Sequence, residues 1–214
     1  MQIFPRSANA IARASIVGGA AIVGLAGFLL YMLQQSPYVT QQKVALEQPV
    51  PFSHQHHVSG LGLDCRYCHT SVETSNFAGI PPVSTCMNCH KEIWTNAAML
   101  EPIRASYRSG VAIQWERLHR TPDFVQFNHS IHVAKGIGCA SCHGRVDQMQ
   151  LTYQAMPMSM QWCLSCHRHP EKFVRPRDKV YDMTWKADDQ QALGAQLVKE
   201  YRIQSKTNCS VCHY

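Results

Sequence analysis

Apolar residues are concentrated near the N-terminal end of this chain. From Ala14 to Leu33, 20 residues pass without a charge, and a helix of that length covers about 30 Å, the thickness of a bilayer's hydrocarbon core. The stretch from Asp188 to Gln204 also has the pattern of one helix. Across the 214 residues, 11 prolines and 12 glycines leave few other long periodic runs. The pattern therefore predicts mostly loops and short helices between these two elements.

The charges that flank the apolar run indicate its orientation. Arg6 and Arg13 precede it, whereas the first charge after it is Lys43, so the positive-inside rule leaves the N-terminus in the cytoplasm. A cleaved signal peptide is the alternative, but no small-x-small cleavage site follows the run. We therefore expect a retained anchor in the cytoplasmic membrane, with the rest of the chain on the periplasmic side.

These features divide the chain into four predicted segments. A linker rich in Gln and Pro separates the anchor from the remaining domain. The segments are the cytoplasmic N-terminus 1–13, the transmembrane anchor helix 14–33, the linker 34–51 and the outer domain 52–214.

The charge balance excludes one class of partner. The chain carries 20 Lys and Arg against 14 Asp and Glu, a net charge of +6, and its basic residues form no stripe with interleaved aromatics. We therefore expect no nucleic-acid binding. Charged residues make up 16% of the chain, against roughly 25% in an ordinary soluble domain, which is typical of a subunit packed against partners.

Cysteine supplies the main chemical signal. All ten cysteines occur in five Cys-x-x-Cys-His motifs. Two thiols three positions apart can add to the two vinyl groups on one edge of a haem, and the following His then binds the iron from below. The predicted cofactors are five covalently bound haem c groups, attached through Cys65 and Cys68, Cys86 and Cys89, Cys139 and Cys142, Cys163 and Cys166, and Cys209 and Cys212, with proximal iron ligands His69, His90, His143, His167 and His213.

Zinc and disulfides are the alternative uses of these cysteines. Gaps of 17 residues from Cys68 to Cys86 and of 20 from Cys142 to Cys163 fit a four-cysteine zinc ribbon. A ribbon does not require the trailing His, however, and it would leave the fifth motif without a partner. Five two-residue loops are also a poor disulfide scheme, although disulfides suit the periplasm.

A sequence repeat organises the outer domain. Phe52 to Val58 and Phe127 to Val133 both follow the pattern Phe-x-His-x-x-His-Val, and each precedes two of the haem motifs. The offset is 75 residues for the Phe, 74 for the first cysteine and 77 for the second motif. We interpret the domain as two related dihaem halves at about 52–90 and 127–167, with a fifth haem at 209–213.

The repeated segments supply candidate distal ligands. Histidines three positions apart are neighbours on a helical turn, so each pair can reach two adjacent haems. This arrangement resembles the small multihaem cytochromes c of class III, in which such a pair binds two different irons. The resemblance implies four distal iron ligands, which are His54, His57, His129 and His132.

The sequence leaves two residue types, histidine and methionine, as candidates for the fifth distal ligand. His119 is the better-placed spare histidine, and the alternative is a thioether from the cluster Met156, Met158 and Met160, with Met160 first. Methionines of this kind more often pack than bind metal. His/Met ligation would raise that haem's potential relative to bis-His ligation. We expect His56 and His169 to be solvated or hydrogen-bonded loop histidines that do not bind iron.

The chain as a whole resembles the pentahaem cytochrome c subunit of alternative complex III, a bacterial quinol-oxidising respiratory assembly. Besides the anchor and the five motifs, the resemblance is carried by Gly62 to His69, Leu118 to Val125, Cys142 to Asp147 and Trp162 to His167. It implies a multihaem cytochrome c fold of the class III type, with loops and short α-helices around stacked haems. It also implies iron-sulfur or molybdopterin-like subunits and quinol-binding integral membrane subunits as partners, and a cytochrome c or a terminal oxidase as the acceptor.

Electron conduction is the function that these features favour. Five irons with matching sets of axial ligands leave no open coordination site, so we expect no catalytic residue on this chain. Two enzymatic alternatives remain. The chain could oxidise quinol itself at the membrane surface, or it could reduce a small oxyanion at an open haem. A structural zinc scaffold would instead require the absence of haem absorbance.

Overall fold

The computed structural model describes residues 3–213 and divides the chain into two compact units, 1–42 and 43–214. The division falls inside the predicted linker 34–51. Residues 1 and 2 of the predicted cytoplasmic segment, and residue 214 of the predicted haem domain, lie outside the described residues.

The first unit consists of one long helix and one short helix. Helix α1 covers Ala8–Gln35 and α2 covers Pro37–Thr40. The break falls at Ser36, whose extended backbone (φ −72°, ψ 155°) is the conformation favoured before a proline. Helix α1 extends the predicted 20-residue run at both ends, and by length and composition it could cross a membrane. Its apolar side chains are exposed within the unit, as a lipid-facing helix requires.

The second unit contains short helices joined by long loops. Among the residues described in this unit, no β-strand forms, and the β-type pairing consists of isolated bridges. Its α-helices are α3 Cys65–Cys68, α4 Val83–His90, α5 Glu101–Ser109, α6 His129–Ala134, α7 Cys139–His143, α8 Met160–Arg168, α9 Gln190–Glu200 and α10 Cys209–Cys212. A π-helix covers Gln55–Gly60, and 3₁₀ turns cover Ala98–Leu100, Val146–Gln148, Pro170–Lys172 and Arg177–Lys179.

Each Cys-x-x-Cys-His motif lies on one of the short helices, namely α3, α4, α7, α8 and α10. Local capping explains where several of these helices begin. The Asp64 carboxylate accepts a hydrogen bond from the backbone N–H of Arg66 at 2.8 Å, and the Ser159 hydroxyl accepts one from Trp162 at 3.3 Å. A single helical turn places two cysteines three positions apart on the same side, which is the spacing that two vinyl groups require.

The two repeated segments adopt related but unequal helices. The first forms the π-helix Gln55–Gly60 and the second forms α6. Six residues separate the final Val of the motif from the next cysteine in the first segment, but five do so in the second. One inserted residue in a helical turn commonly produces a π-type turn. Gly62 and Gly136, which are 74 residues apart, end both segments with a positive φ of 71° and 76°.

The apolar core of the second unit is small and divided. One cluster contains Val50, Leu100 and Ile103, with Cys86 and Met87 packed against it. The other contains Val174, Leu197 and Tyr201 and joins α9 to the segment that follows α8. Among the described residues, ten hydrophobic side chains are buried. A domain of this size normally buries many more, so most of the hydrophobic stabilisation must come from another source.

Candidate metal centres

The structure arranges eight of the predicted ligand histidines in four pairs. In each pair, a histidine from a repeated segment faces the histidine of one motif, and the ring centroids are 6.1 to 6.5 Å apart. Two pairs are nearly parallel, at 8° and 12°, and two are inclined, at 67° and 71°. The pairs are His54 with His69, His57 with His90, His129 with His143, and His132 with His167.

This separation fits two imidazoles that bind one metal atom from opposite sides. A metal–imidazole bond is about 2.0–2.1 Å long, so two rings on either side of one metal have centres about 6 Å apart. Rings in direct contact also have centroids about 4.5–7 Å apart, but here the same separation recurs at the histidines of four separate motifs. The pairs therefore leave space for one metal atom each, beside a pair of cysteine thiols.

The second nitrogen of most ligand rings is already hydrogen-bonded. Nδ1 of six of the eight paired histidines lies 2.7 to 3.4 Å from an oxygen atom, which holds the ring and leaves Nε2 free for a metal. The oxygen partners are Thr152 Oγ1 for His54 and the backbone carbonyls of Ser53 for His57, Gly79 for His69, Ile93 for His90, Asn76 for His129, and Asn128 for His132.

Burial keeps several of these rings neutral. Desolvation, with smaller contributions from nearby histidines, lowers the pKa of His54 to about 4 and that of His143 to about 3. Burial likewise lowers the pKa of His132. A neutral imidazole is the form that binds a metal, so these sites are prepared for ligation without loss of a proton.

The phenylalanine of each repeated segment packs on both of its histidines. Phe52 lies 4.4 Å from His57 in a stacked arrangement and 4.9 Å from His54 edge-on. Phe127 repeats this geometry, at 4.7 Å from His132 and 4.8 Å from His129. We did not assign these phenylalanines a role from the sequence, although both belong to the repeated motif. They fix the angle between two neighbouring ligand rings.

Eight of the ten cysteines precede the motif histidines of these four pairs in the sequence, and none of the ten is joined in a disulfide. Burial raises the pKa of Cys139 to about 11 and that of Cys142 to about 12. Cys89 and Cys209 are exposed, whereas the other eight cysteines are partly buried.

His119 lies at the third motif. We expected it opposite His213, but its Nε2 atom is 3.2 Å from Nδ1 of His143, and the two rings are 4.4 Å apart. The ring that packs against His213 is that of Phe124, at 5.7 Å. Met160, the alternative fifth ligand, begins α8 and is 62% exposed. The fifth distal ligand therefore stays a prediction.

His56 and His169, which we expected not to bind iron, each contact a neighbouring side chain. His56 stacks on Trp94 at 5.6 Å and meets His57 edge-on at 5.2 Å. Nδ1 of His169 lies 3.4 Å from a carboxylate oxygen of Glu171.

Comparison with known proteins gives two family matches and one curated relative. Residues 31–108 match the class III cytochrome C family, and residues 125–214 match cytochrome c7 and related cytochrome c. The two ranges take in both predicted halves and the last motif. The multihaem cytochrome c subunit of a menaquinone reductase from Nitratidesulfovibrio vulgaris is 33% identical over 138 residues, which is 63% of this chain. The alignment spans 64% of the length of that relative.

The matches and the architecture confirm the predicted fold class. The second unit is helical and rich in loops, without strands among its described residues, and one apolar N-terminal helix is a candidate for a membrane span. The families matched are those of multihaem c-type cytochromes, and the ten cysteines of the chain are consistent with covalently bound haem c.

Proposed function

We propose that this chain, whose residues 31–108 and 125–214 match the class III and c7 cytochrome families, carries five haem c groups and conducts electrons for a membrane respiratory complex. The observation that carries the proposal is the set of four histidine pairs, each with room for one metal atom and each beside a thiol pair. When bound, haem iron supplies one-electron redox chemistry.

The residue roles follow from the motifs and the pairs. The ten cysteines attach the five haems, and the histidine that ends each motif is the proximal ligand. The distal ligands are His54 for the haem of His69, His57 for His90, His129 for His143 and His132 for His167. For the haem of His213, the choice remains between His119 and Met160.

The ligand geometry favours conduction over catalysis. Four irons would have imidazole on both faces, which leaves no position for a substrate to bind at these irons. Two features of the chain instead orient and tune them: the Nδ1 hydrogen bonds hold the rings, and the phenylalanines fix neighbouring rings at a set angle. The chain acts as an electron-transfer subunit and has no catalytic site of its own.

The partners and direction of electron flow are further parts of the proposal. We propose an assembly of the alternative complex III type, in which quinol-binding integral membrane subunits and iron-sulfur or molybdopterin-like subunits deliver electrons. A cytochrome c or a terminal oxidase would receive them. The curated relative belongs to a complex named as a menaquinone reductase, so a membrane quinone is the electron carrier that both assignments share.

Anaerobic mixing with a menaquinol analogue tests this proposal. The detergent-purified subunit should show the absorbance of five haems per chain in a pyridine haemochrome assay, and the menaquinol analogue alone should not reduce it. Reduction should appear once the neighbouring subunits are restored. A haem content of zero with bound zinc would overturn the cofactor assignment, and reduction of the isolated subunit would favour the second candidate function.

That second candidate is quinol oxidation by this chain itself, and one cavity favours it. An open cavity of about 610 Å³ is lined by polar side chains next to the second histidine pair, among them Ser53, His56 and Gln148. A quinol headgroup needs hydroxyl, amide or imidazole partners of this kind. If the isolated subunit is reduced rapidly, His56→Leu should slow that reduction while reduction by dithionite stays unchanged.

We further propose that α1 is a retained anchor, with residues 1–13 in the cytoplasm and the haem domain on the periplasmic side. Its length and exposed apolar surface support this. The intact N-terminal peptide should be found by mass spectrometry in membranes washed with alkaline carbonate. Recovery of a shortened chain in the soluble fraction would identify the segment as a cleaved signal peptide instead.

A further inference from the structure

We infer that the five haems form one unbranched row, in the order second, first, third, fourth and fifth motif along the path. This inference rests on the proposed function, because it needs haem at all five motifs. It deepens that function by naming the haems at which electrons enter and leave. Four contacts between motifs carry it.

The first and second motifs are neighbours. His54 and His57 lie three positions apart on one helical segment and face His69 and His90 respectively. The motif helices also touch directly, because the Asn88 side chain donates a hydrogen bond to the Tyr67 hydroxyl at 3.1 Å.

The third and fourth motifs are neighbours for the same reason. His129 and His132 lie on α6 and face His143 and His167 respectively.

The first and third motifs join the two halves. The backbone carbonyl of Asn76, which follows the first motif, accepts hydrogen bonds from both N and Nδ1 of His129, at 3.2 and 3.0 Å. The nearly parallel ring pairs of the row, His54 with His69 and His129 with His143, are those of these two motifs.

The fourth and fifth motifs complete the row. The Ser205 hydroxyl, just before the last motif, donates a hydrogen bond to the backbone carbonyl of His167 at 2.7 Å.

These four contacts leave the second and fifth motifs at the ends. The two exposed cysteines of the chain, Cys89 and Cys209, belong to these two motifs. An exposed aromatic ring also packs on each terminal histidine. Trp94, which is 56% exposed, lies 6.2 Å from His90, and Phe124, which is 59% exposed, lies 5.7 Å from His213. Electrons therefore enter at one of these haems and leave at the other, and the third haem is the middle of the path.

Removal of one haem at a time tests the order. Three double variants each delete one attachment site, and each is studied in membranes that hold the assembled complex. They are Cys139→Ser with Cys142→Ser for the middle, Cys86→Ser with Cys89→Ser for one end, and Cys209→Ser with Cys212→Ser for the other. A short-chain menaquinol supplies electrons, two per molecule with release of two protons, and the α-band absorbance reports the reduced fraction.

The proposed order predicts a distinct result for each variant. Without the middle haem, about half of the remaining haem should be reduced rapidly, because the row is cut in two. The two end variants should give opposite results, with nearly all of the remaining haem reduced in one and almost none in the other. A middle variant reduced completely or not at all would overturn the order, and so would two end variants that behave alike.

Two controls separate this inference from the proposed function. Dithionite should reduce all four remaining haems in every variant, which shows that they are present. If menaquinol fails to reduce the wild-type complex as well, the proposed function fails and the order is unaffected. Should a variant not assemble, a cryo-electron microscopy structure of the haem-loaded wild-type complex gives the nearest neighbour of each iron directly, and any neighbour pair outside the four named here overturns the order.

Discussion

At the scale of single residues, the partner of each ligand ring sets how much electron density reaches the iron. Six of the paired histidines hold Nδ1 against an oxygen atom, but Nδ1 of His143 meets the Nε2 atom of His119. An imidazole nitrogen is a good acceptor, so this hydrogen bond makes His143 a stronger electron donor. The contact also occupies the ring nitrogen of His119 that corresponds to the metal-facing nitrogen of the other predicted distal ligands.

We therefore expect His119→Leu to raise the potential of one haem and to leave its iron low-spin. Loss of a hydrogen bond worth about 1 kcal/mol in the oxidised state corresponds to about 40 mV for one electron. His119→Gln retains an acceptor and should stay nearer to the wild-type potential. Potentiometric titration gives the shift, and low-temperature electron paramagnetic resonance gives the spin state.

The same experiment decides the role of His119 as a ligand. If His119 binds the iron of the fifth haem, both variants should convert one bis-histidine signal to another ligation state. That result would restore His119 as the fifth distal ligand in place of Met160.

A buried cation lies beside the same haem site. Arg175 is 9% exposed, its Nη1 atom donates to the carbonyls of Lys179 and Asp182, and its Nε atom has no partner among the described residues. The guanidinium lies against Gly138, so closely that a Cβ added at this glycine would collide with it. Its charge therefore sits next to the attachment residue Cys139.

We expect Arg175→Leu to lower the potential of the third haem, because a nearby positive charge disfavours the oxidised, more cationic iron centre. One unit charge within roughly 15 Å contributes about 1 kcal/mol at an effective dielectric constant near 20, which is about 50 mV. Arg175→Lys keeps the charge and is the matched control in the same titration. An equal shift in both variants would mean that packing, and not charge, is responsible.

At the scale of secondary-structure elements, the approach of α9 to the turn Pro170–Lys172 depends on one glycine. Gly194 is buried at the crossing, and a Cβ there would collide with the backbone carbonyl of Glu171. Gln190, at the start of α9, donates from its side chain to the carbonyls of Glu171 and Val174, at 3.0 and 2.8 Å. The helix is thus fixed to the segment that follows the fourth haem motif.

Gly194→Ala should destabilise the haem-loaded protein, although alanine is the better helix former by about 1 kcal/mol. A collision with backbone cannot be relieved by a rotamer change, and overpacking of this kind typically costs about 1–3 kcal/mol. The thermal midpoint should fall by roughly 2–4 °C per kcal/mol. Gln196→Ala, on the exposed face of α9, is the control and should leave the midpoint nearly unchanged. A midpoint that rises in Gly194→Ala would show that the two elements can separate without cost.

The helices also show which elements could be predicted from patterns in the sequence. The predicted helix over 188–204 is confirmed, with shorter bounds at Gln190–Glu200, because its pattern is local. The apolar run 14–33 is likewise a helix, within Ala8–Gln35. Comparison of the two repeated segments shows one extra residue between Val58 and Cys65. The sequence alone does not predict which backbone conformation accommodates that residue. The π-helix Gln55–Gly60 resolves that question.

At the scale of the whole molecule, the features of the site that could be predicted are those formed by residues close together in the sequence. Cys-x-x-Cys-His places attachment and proximal ligation within five residues, and two histidines on one turn reach two neighbouring sites. The Nδ1 partners join residues far apart in the chain, 98 positions for His54 and Thr152, 53 for His129 and Asn76, and 24 for His143 and His119. No periodicity reports such contacts, so the contact between His119 and His143 could not be predicted from the sequence.

The last prediction for the whole molecule concerns the stability of the chain without haem. Among the described residues, two small clusters and ten buried hydrophobic residues are too little apolar core for a unit of this length, and haem at the four histidine pairs would add the apolar area that is missing. We therefore expect the full chain, made without haem attachment and kept reduced in detergent, to lack a cooperative thermal transition and to be cleaved by protease throughout 52–214.

The haem-loaded chain under the same conditions is the control and should resist cleavage in the motif helices. A compact, protease-resistant apo form would contradict the expectation and would mean that the polypeptide alone specifies the fold. Because the cluster of Val174, Leu197 and Tyr201 contains no residue of a haem motif, partial protection confined to α9 and its packing partner Pro170–Lys172 would identify the one region whose contacts survive without the cofactor. The haems would then supply the rest of the core, since each would replace side-chain packing with the area of a flat ring held by two cysteines and a motif histidine.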